Sequence, residues 1–404
     1  MRRAVGDWYT SRGGRELAMQ MTKYKNREGW THQDVLRMAH VGPASLKDDG
    51  ARLATKFAIK GQEAYAAECE KLTEAPANES VAAVVQLITG ITAVAAEGVT
   101  GAEAARLIRE HGLVREHLPT TILDSVEVWK ALLMPGIGYY CHGMPMEAMV
   151  RNLSKMTAIG PLEELECANW VVGRLRNVDA IRASRIHPMK LLMASRQYQR
   201  GHGDKGKLSW SPVQRVVDAL DAAFKLAFGN VEPTRKRMML ALDVSGSMDT
   251  TVPGTSISCR EASAAMALIT CATEVTCRVV AFGAQLTPVA MNGSMTVTQA
   301  VRVSDMNFGA TDCALPMLHA LKNGIAVDCF VVYTDCETWF GSVHPQVALQ
   351  QYRAATGIQA KLVVVGMVSN NLTIADPSDP HTLNLAGFDT STPEVLSMFA
   401  RGEL

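Results

Sequence analysis

The chain has 404 residues, 48% hydrophobic and 20% charged, a soluble globular composition long enough for two or three domains. Forty Lys and Arg balance forty Asp and Glu, which excludes a uniformly basic nucleic-acid-coating protein and an acidic disordered chain. Aromatics are only 6%, and frequent Ala with 21 Met favours helix-rich packing over an all-β fold.

At the amino terminus, Arg2 and Arg3 have no apolar run behind them, so no secretory signal is expected. Apolar residues at three- and four-residue spacing predict helices over Gly13–Thr22, Thr31–His40, Ala51–Lys71, Ala102–His111, Val126–Leu133 and Glu147–Met156. The same spacing predicts Val178–Ser184, Pro188–Gln199 and Val213–Ala227. The most membrane-like stretch, Ser80–Ala96, is short and interrupted by Gln86, Thr89, Gly90 and Thr92, which fits a buried helix better than a span. Nine Cys, an odd number without CxxC spacing, predict a reduced, cytoplasmic chain whose cysteines fill its core. Consecutive short helices suggest a solenoid-like array, although no clean sequence period is visible.

Gly229–Thr234 breaks the pattern. Residues 1–234 carry 30 Lys and Arg against 26 Asp and Glu, a net +4, and residues 235–404 carry 10 against 14, a net −4. Neutrality therefore belongs to the sum of two halves, taken as domains 1–230 and 235–404. In the second half, apolar runs at Met238–Val244, Thr276–Phe282, Val327–Thr334 and Ala360–Met367 are too short for helices. They alternate with helical candidates Arg260–Thr273, Ala314–Lys322 and Pro345–Ala355, the pattern of an α/β Rossmann-like fold with a parallel sheet. Ligands in such folds bind beyond the carboxyl ends of the strands.

There the first apolar run ends in Asp243-Val244-Ser245-Gly246-Ser247, the third in Thr334-Asp335, and a loop between them carries Gly309-Ala310-Thr311-Asp312. Two carboxylates and three hydroxyls, from Asp243, Ser245, Ser247, Thr311 and Asp335, suit a hard divalent cation, Mg²⁺ above all. So few charges would leave the cation able to take a carboxylate or phosphate oxygen from a partner. Taken alone, D-x-S-x-S equally suits a helix cap.

These motifs resemble the metal-ion-dependent adhesion site of von Willebrand factor A domains. More narrowly, Ala241–Met248, Gly309–Met317, Tyr333–Thr338 and Gly387–Thr390 are similar to the Ro60 ribonucleoprotein family. So are Thr22–His32, Leu113–Leu118, Val128–Leu133, Arg185–Pro188 and Gly201–Leu208, in the stretch where that family has its helical TROVE region. The resemblance implies a HEAT-like helical-repeat TROVE domain followed by the A domain. It also implies a chain lacking the family's N-terminal helices, which bear on closure of the family's ring. Its further implications are a cytoplasmic monomer that is no enzyme and binds Y-like RNA and single-stranded 3′ ends of misfolded non-coding RNA. An exoribonuclease partner and an acidic protein ligand at the metal site are implied too.

The resemblance carries Lys23, Arg27 and His40 over as RNA-binding residues. By spacing, Lys23 and Arg27 lie four apart on one helix face, able to reach adjacent phosphates; with Glu28 and Asp34 nearby, a solvated charged face is the plain alternative. From Arg174 to Lys207, nine Lys and Arg face two Asp, a local +7 interleaved with His187, Tyr198 and His202. That mixture suits a channel for single-stranded nucleic acid. No nucleophile–base pair, acid/base carboxylate pair or zinc cluster stands out. The rival reading is a scaffold that captures a protein partner through the metal, with no RNA role. Met134–Pro145 reads as an insertion or altered turn to which the residues assign no function.

Overall fold

The structure, a computed structural model, describes residues 2–73, 78–135, 143–203, 207–335, 340–368 and 374–404. Most of the Met134–Pro145 segment, Lys205 and residues 336–338 of the third strand motif lie outside the described residues. By internal packing the chain divides into two units, Met1–Trp170 and Val171–Leu404.

The first unit is helical. Its elements run α1 (Arg2–Thr10), α2 (Gly14–Lys23), a ribbon of β1 (Asn26–Arg27) and β2 (Trp30–Thr31), α3 (His32–Ala39), α4 (Asp49–Lys60) and α5 (Gln62–Thr73). It continues through α6 (Glu79–Val94), α7 (Gly101–His111), α8 (Val126–Leu133), α9 (Met146–Ile159) and the start of α10 (Leu165–Arg176). Side-chain caps start many of these helices: Thr31 with Asp34 forms a reciprocal capping box, and Asp48, Asn78, Thr100 and Ser125 accept first-turn N–H bonds. The expected single helix Ala51–Lys71 is two, because Gly61, at φ 81°, ends α4 where an L side chain would be strained. Neighbouring helices pack on one another, with α2 against both α4 and α6. α4 also packs on α6, and that approach needs glycine: a Cβ at Gly50 would sit 2.4 Å from the Ser80 carbonyl oxygen. Arg15 ties the array together, donating to the carbonyls of Ala83 at 3.0 Å and His111 at 2.9 Å.

His117 is a buried pin in this unit. Its Nδ1 accepts from the Val114 N–H at 3.3 Å, so the ring is neutral with its proton on Nε2, which lies 3.0 Å from the Thr22 hydroxyl. Burial, with Lys25 and Lys23 adding repulsion, pushes its pKa down to about 3. A depressed histidine pKa means the unfolded chain binds the extra proton first, so stability falls as pH drops below about 6.5. The expected cost by pH 5.5 is about 1.4 kcal/mol from this residue. Urea midpoints at pH 7.5 and 5.5 check it: His117→Gln should lose less stability than wild type on acidification, and parallel losses would show the source lies elsewhere.

The second unit holds α11 (Val178–Ser184), α12 (Pro188–Gln199), α13 (Gln214–Leu226) and the sheet with its helices. The three helices that periodicity groups with the helical half thus pack in the same unit as the sheet. Arg196 of α12 donates to Glu261 at 2.6 Å, Asn230 donates to the carbonyls of Ile181 and Ile186, and Lys225 reaches the Ser294 carbonyl. The strands are β3 (Met238–Asp243), β4 (Cys277–Phe282), β5 (Leu286–Val289), β6 (Cys329–Thr334), β7 (Lys361–Gly366) and β8 (Thr382–Ala386), in the order β5-β4-β3-β6-β7-β8. Every pair is parallel except β4–β5, where antiparallel β5 forms an edge and carries Pro288. β3 and β6 are buried along their whole length, as continuous apolar runs require when both faces are covered. The covering helices are α14 (Cys259–Thr273), α15 (Val297–Val303), α16 (Leu315–Lys322), α17 (Pro345–Thr356) and α18 (Thr392–Arg401). Between β3 and β6 the strand order reverses direction, the point at which sheets of this kind place their ligands, beyond the carboxyl ends of the strands.

Among the described residues no helix is long and apolar enough to cross a membrane. Among the described residues no cysteine is in a disulfide, and four of them are buried. Cys271 and Cys277 differ from that core-filling role: both are partly exposed and their Sγ atoms are 3.2 Å apart.

Candidate metal centre and nucleic-acid face

At the reversal point the structure joins the five oxygen-bearing residues in one hydrogen-bonded chain, Thr311–Asp243–Ser245–Ser247–Asp335. Asp243 ends β3 fully buried and accepts the Ser245 N–H at 2.9 Å. The Ser245 and Ser247 hydroxyls are 3.1 Å apart, and Ser247 donates to Asp335 Oδ1 at 3.0 Å. Thr311 joins from its loop, with Oγ1 at 3.5 and 3.4 Å from the two Asp243 oxygens. Ser247 is exposed, so the cluster opens to solvent on its side.

Two residues outside the predicted set complete the geometry. Thr334, the last residue of β6, donates to Asp243 Oδ2 at 2.8 Å. Arg260, in the first turn of α14 and 9% exposed, donates to the Ser245 carbonyl at 3.2 Å and to Asp249 at 2.7 Å. It fastens the loop from behind. Its signal in the sequence is the single cation of a helix that, apart from Glu261, is built of small, hydroxyl-bearing and apolar residues.

The electrostatics suit a cation. Burial pushes the Asp243 carboxyl up, and the charge of Asp335 adds to that, against the lowering effect of the Ser245 N–H and the hydroxyls of Thr334 and Ser245. Among the described residues neither carboxylate pairs with Lys or Arg. No group of three or more His, Cys, Asp or Glu is available among them either, so a cation here would rest on two carboxylates and three hydroxyls. That all-oxygen donor set fits Mg²⁺ and disfavours zinc.

On the helical unit, Lys23 and Arg27 do not share a helix face. α2 ends at Lys23, Tyr24 is its C-cap, and Arg27 lies in β1. The Tyr24 ring brings them together instead: the Lys23 ammonium is 5.1 Å and the Arg27 guanidinium 4.6 Å from its centroid. The spacing argument fails because the backbone leaves helical geometry at Tyr24, φ −116° and ψ 55°, but the juxtaposition survives by another route. His40 stands apart from the pair. It is the left-handed C-cap of α3, φ 55°, in a hollow with Arg2, Arg3 and Ser45. α3 separates it from the ribbon by about 12 Å of helix rise.

The Arg174–Lys207 stretch is less open than its composition suggests. Tyr198 is buried, stacked at 6.4 Å on Trp210, with its hydroxyl accepting the Val213 N–H, so it cannot stack on a base. His187 caps α12, accepting from the Met189 N–H, and burial drives its pKa down to about 4. Arg196 is committed to Glu261. Of the interleaved rings only His202 is exposed.

Comparison with known proteins adds the following. Residues 1–197 match the TROVE domain family, and residues 237–400 match the Ro60 vWA domain family. The RNA-binding protein RO60 of Caenorhabditis elegans is 40% identical over 433 aligned residues, covering all of this chain and 66% of the worm protein. The RNA-binding protein RO60 of Deinococcus radiodurans is 40% identical over 411, covering all of this chain and 72% of that protein. The crystal structure of the Deinococcus radiodurans RO (RSR) protein superposes with a TM-score of 0.83 at 37% identity, covering all of this chain and 77% of the other. This chain is thus shorter than each, spanning a little under two thirds of the worm protein.

Proposed function

The chain belongs to the Ro60 family, and from that premise we propose that it is a non-catalytic RNA-binding protein with a metal-bearing A domain. Two relatives matched over all of this chain are named RNA-binding proteins, and the cation pair on Tyr24 gives the helical unit a place to contact phosphate. Its ligands are Y-like RNA and single-stranded 3′ ends of misfolded non-coding RNA, in RNA quality control or stress response. An exoribonuclease that degrades what it captures is the implied partner.

In the A domain, Asp243, Ser245, Ser247, Thr311 and Asp335 would hold Mg²⁺. The cation would supply an electrophilic docking point for a carboxylate or phosphate oxygen. Ser245 and Ser247 orient each other, Thr334 fixes Asp243, and Arg260 holds the loop that carries both serines. Two carboxylates joined by hydroxyls, without the further carboxylates of two-metal phosphoryl-transfer sites, favour docking over catalysis.

Ultraviolet crosslinking in cells, followed by sequencing of bound RNA, tests the reading. Recovery of small structured RNAs and unpaired 3′ tails is the expected result; no enrichment over background would overturn it. A second reading is favoured by the cluster of oxygens alone: a protein-interaction scaffold that captures an acidic partner through the metal. Asp243→Ala separates the two, since a scaffold loses its protein partner while an RNA-binding face on the helical unit is untouched.

A further inference from the structure

The ribbon after α2 displays an indole, Trp30, beside the cation Arg27. Its two-residue turn, Glu28-Gly29, has both residues in the left-handed region, φ 50° and 81°, the geometry of a tight type I′ hairpin. Glycine enters that region freely, whereas glutamate does so at a cost. The turn sets Arg27 directly opposite Trp30, hence on the same face of the ribbon. Both border a groove of about 500 Å³ with Trp8, Tyr24, His32 and Val35.

The rings of this groove are unequally occupied. Tyr24 carries Lys23 and Arg27. Trp8 has the Arg12 guanidinium at 4.0 Å and the His32 ring stacked at 6.4 Å. Trp30 is 52% exposed, and among the described residues no ring or cation stacks on it. Along the chain on either side of it, Lys23, Lys25 and Arg27 outnumber the carboxylates of Glu28 and Asp34. An open indole bounded by cations matches a planar base carried on an anionic backbone. An apolar peptide would offer the Arg27 guanidinium and the Lys25 ammonium no anion.

We infer that this groove takes one unstacked base of single-stranded RNA on the Trp30 ring, with Arg27 and Lys25 facing its flanking phosphates. The inference rests on the RNA-binding reading above and gives it a strand preference: a duplex keeps its bases stacked and gains nothing from Trp30.

Titration of the full chain with a short single-stranded polyuridine oligonucleotide, and with an RNA duplex of the same length, tests it. Trp30→Ala is expected to weaken the single strand about tenfold and leave the duplex unchanged. Trp30→Phe is expected to retain most of the affinity, because a smaller ring still stacks. Equal affinity of wild type and Trp30→Ala for the single strand, with Lys23→Ala/Arg27→Ala still weakening it, overturns the stacking site and leaves the RNA reading standing. Equal losses for strand and duplex also overturn it, since they mark a structural role. If the wild type binds neither RNA, both fall together.

Discussion

Asp243→Asn is expected to abolish the stabilisation that Mg²⁺ gives the wild-type protein. At a hundredfold excess of the cation over its dissociation constant, a site present only in the folded state stabilises by about 2.7 kcal/mol. For a unit of this size that raises the unfolding midpoint by roughly 5–10 °C. The variant should show no such shift, because the amide keeps an oxygen for the Ser245 N–H but removes the buried one of the site's two carboxylate charges. Metal-free, the order should reverse. Asp243 is desolvated beside Asp335 with no basic partner among the described residues, so neutralising it relieves that repulsion. The variant in chelator should therefore be at least as stable as the wild type. Thermal unfolding of both proteins, with Mg²⁺ and with chelator, makes the measurement. An equal Mg²⁺ shift in both would remove Asp243 from any cation site.

What the sequence showed of this site follows from where it sits. β3 is a run of six buried residues ending in a carboxylate, so the Asp marks the carboxyl end of a covered strand. The hydroxyls of Ser245 and Ser247 follow within four residues, so their place is local knowledge. Thr334 and Arg260 were not legible as site residues, because their roles depend on β6 lying beside β3 and on α14 folding back over the loop. Both are tertiary facts. The edge strands escaped for a related reason: β8 is only half buried and reads Thr-Leu-Asn-Leu-Ala, and β5 contains a proline. Neither carries the continuous apolar signal of a central strand.

The helical unit failed differently. Periodicity sees a face but not a stop, so it ran one helix through Gly61 and placed Lys23 and Arg27 on a helix that ends at Tyr24. Composition sees a ring but not its burial, so it offered Tyr198 to a base when the ring is packed on Trp210. The aromatic residue left open, Trp30, lies in a six-residue ribbon too short for any period to reveal.

The charge pair is where the RNA reading meets its strongest test. Lys23→Ala/Arg27→Ala is expected to reduce RNA affinity in proportion to two lost phosphate contacts. Each contact to a single strand contributes about 0.7 to the slope of log affinity against log salt, so the double variant should flatten that slope by about 1.4. The loss is then on the order of tenfold at 0.15 M salt and about fiftyfold at 0.05 M. It should fall alike on every RNA sequence, because phosphate carries no sequence information. The fold should be untouched: both side chains lie on the outside of the Tyr24 ring, and neither is buried. Tyr24→Ala provides the companion measurement. If the ring holds the two cations in place, its loss should weaken binding while leaving the salt slope near that of the wild type, since both charges remain. Filter binding across a salt series reads all three proteins. A double variant with wild-type affinity and slope would mean that this face does not meet the phosphate backbone.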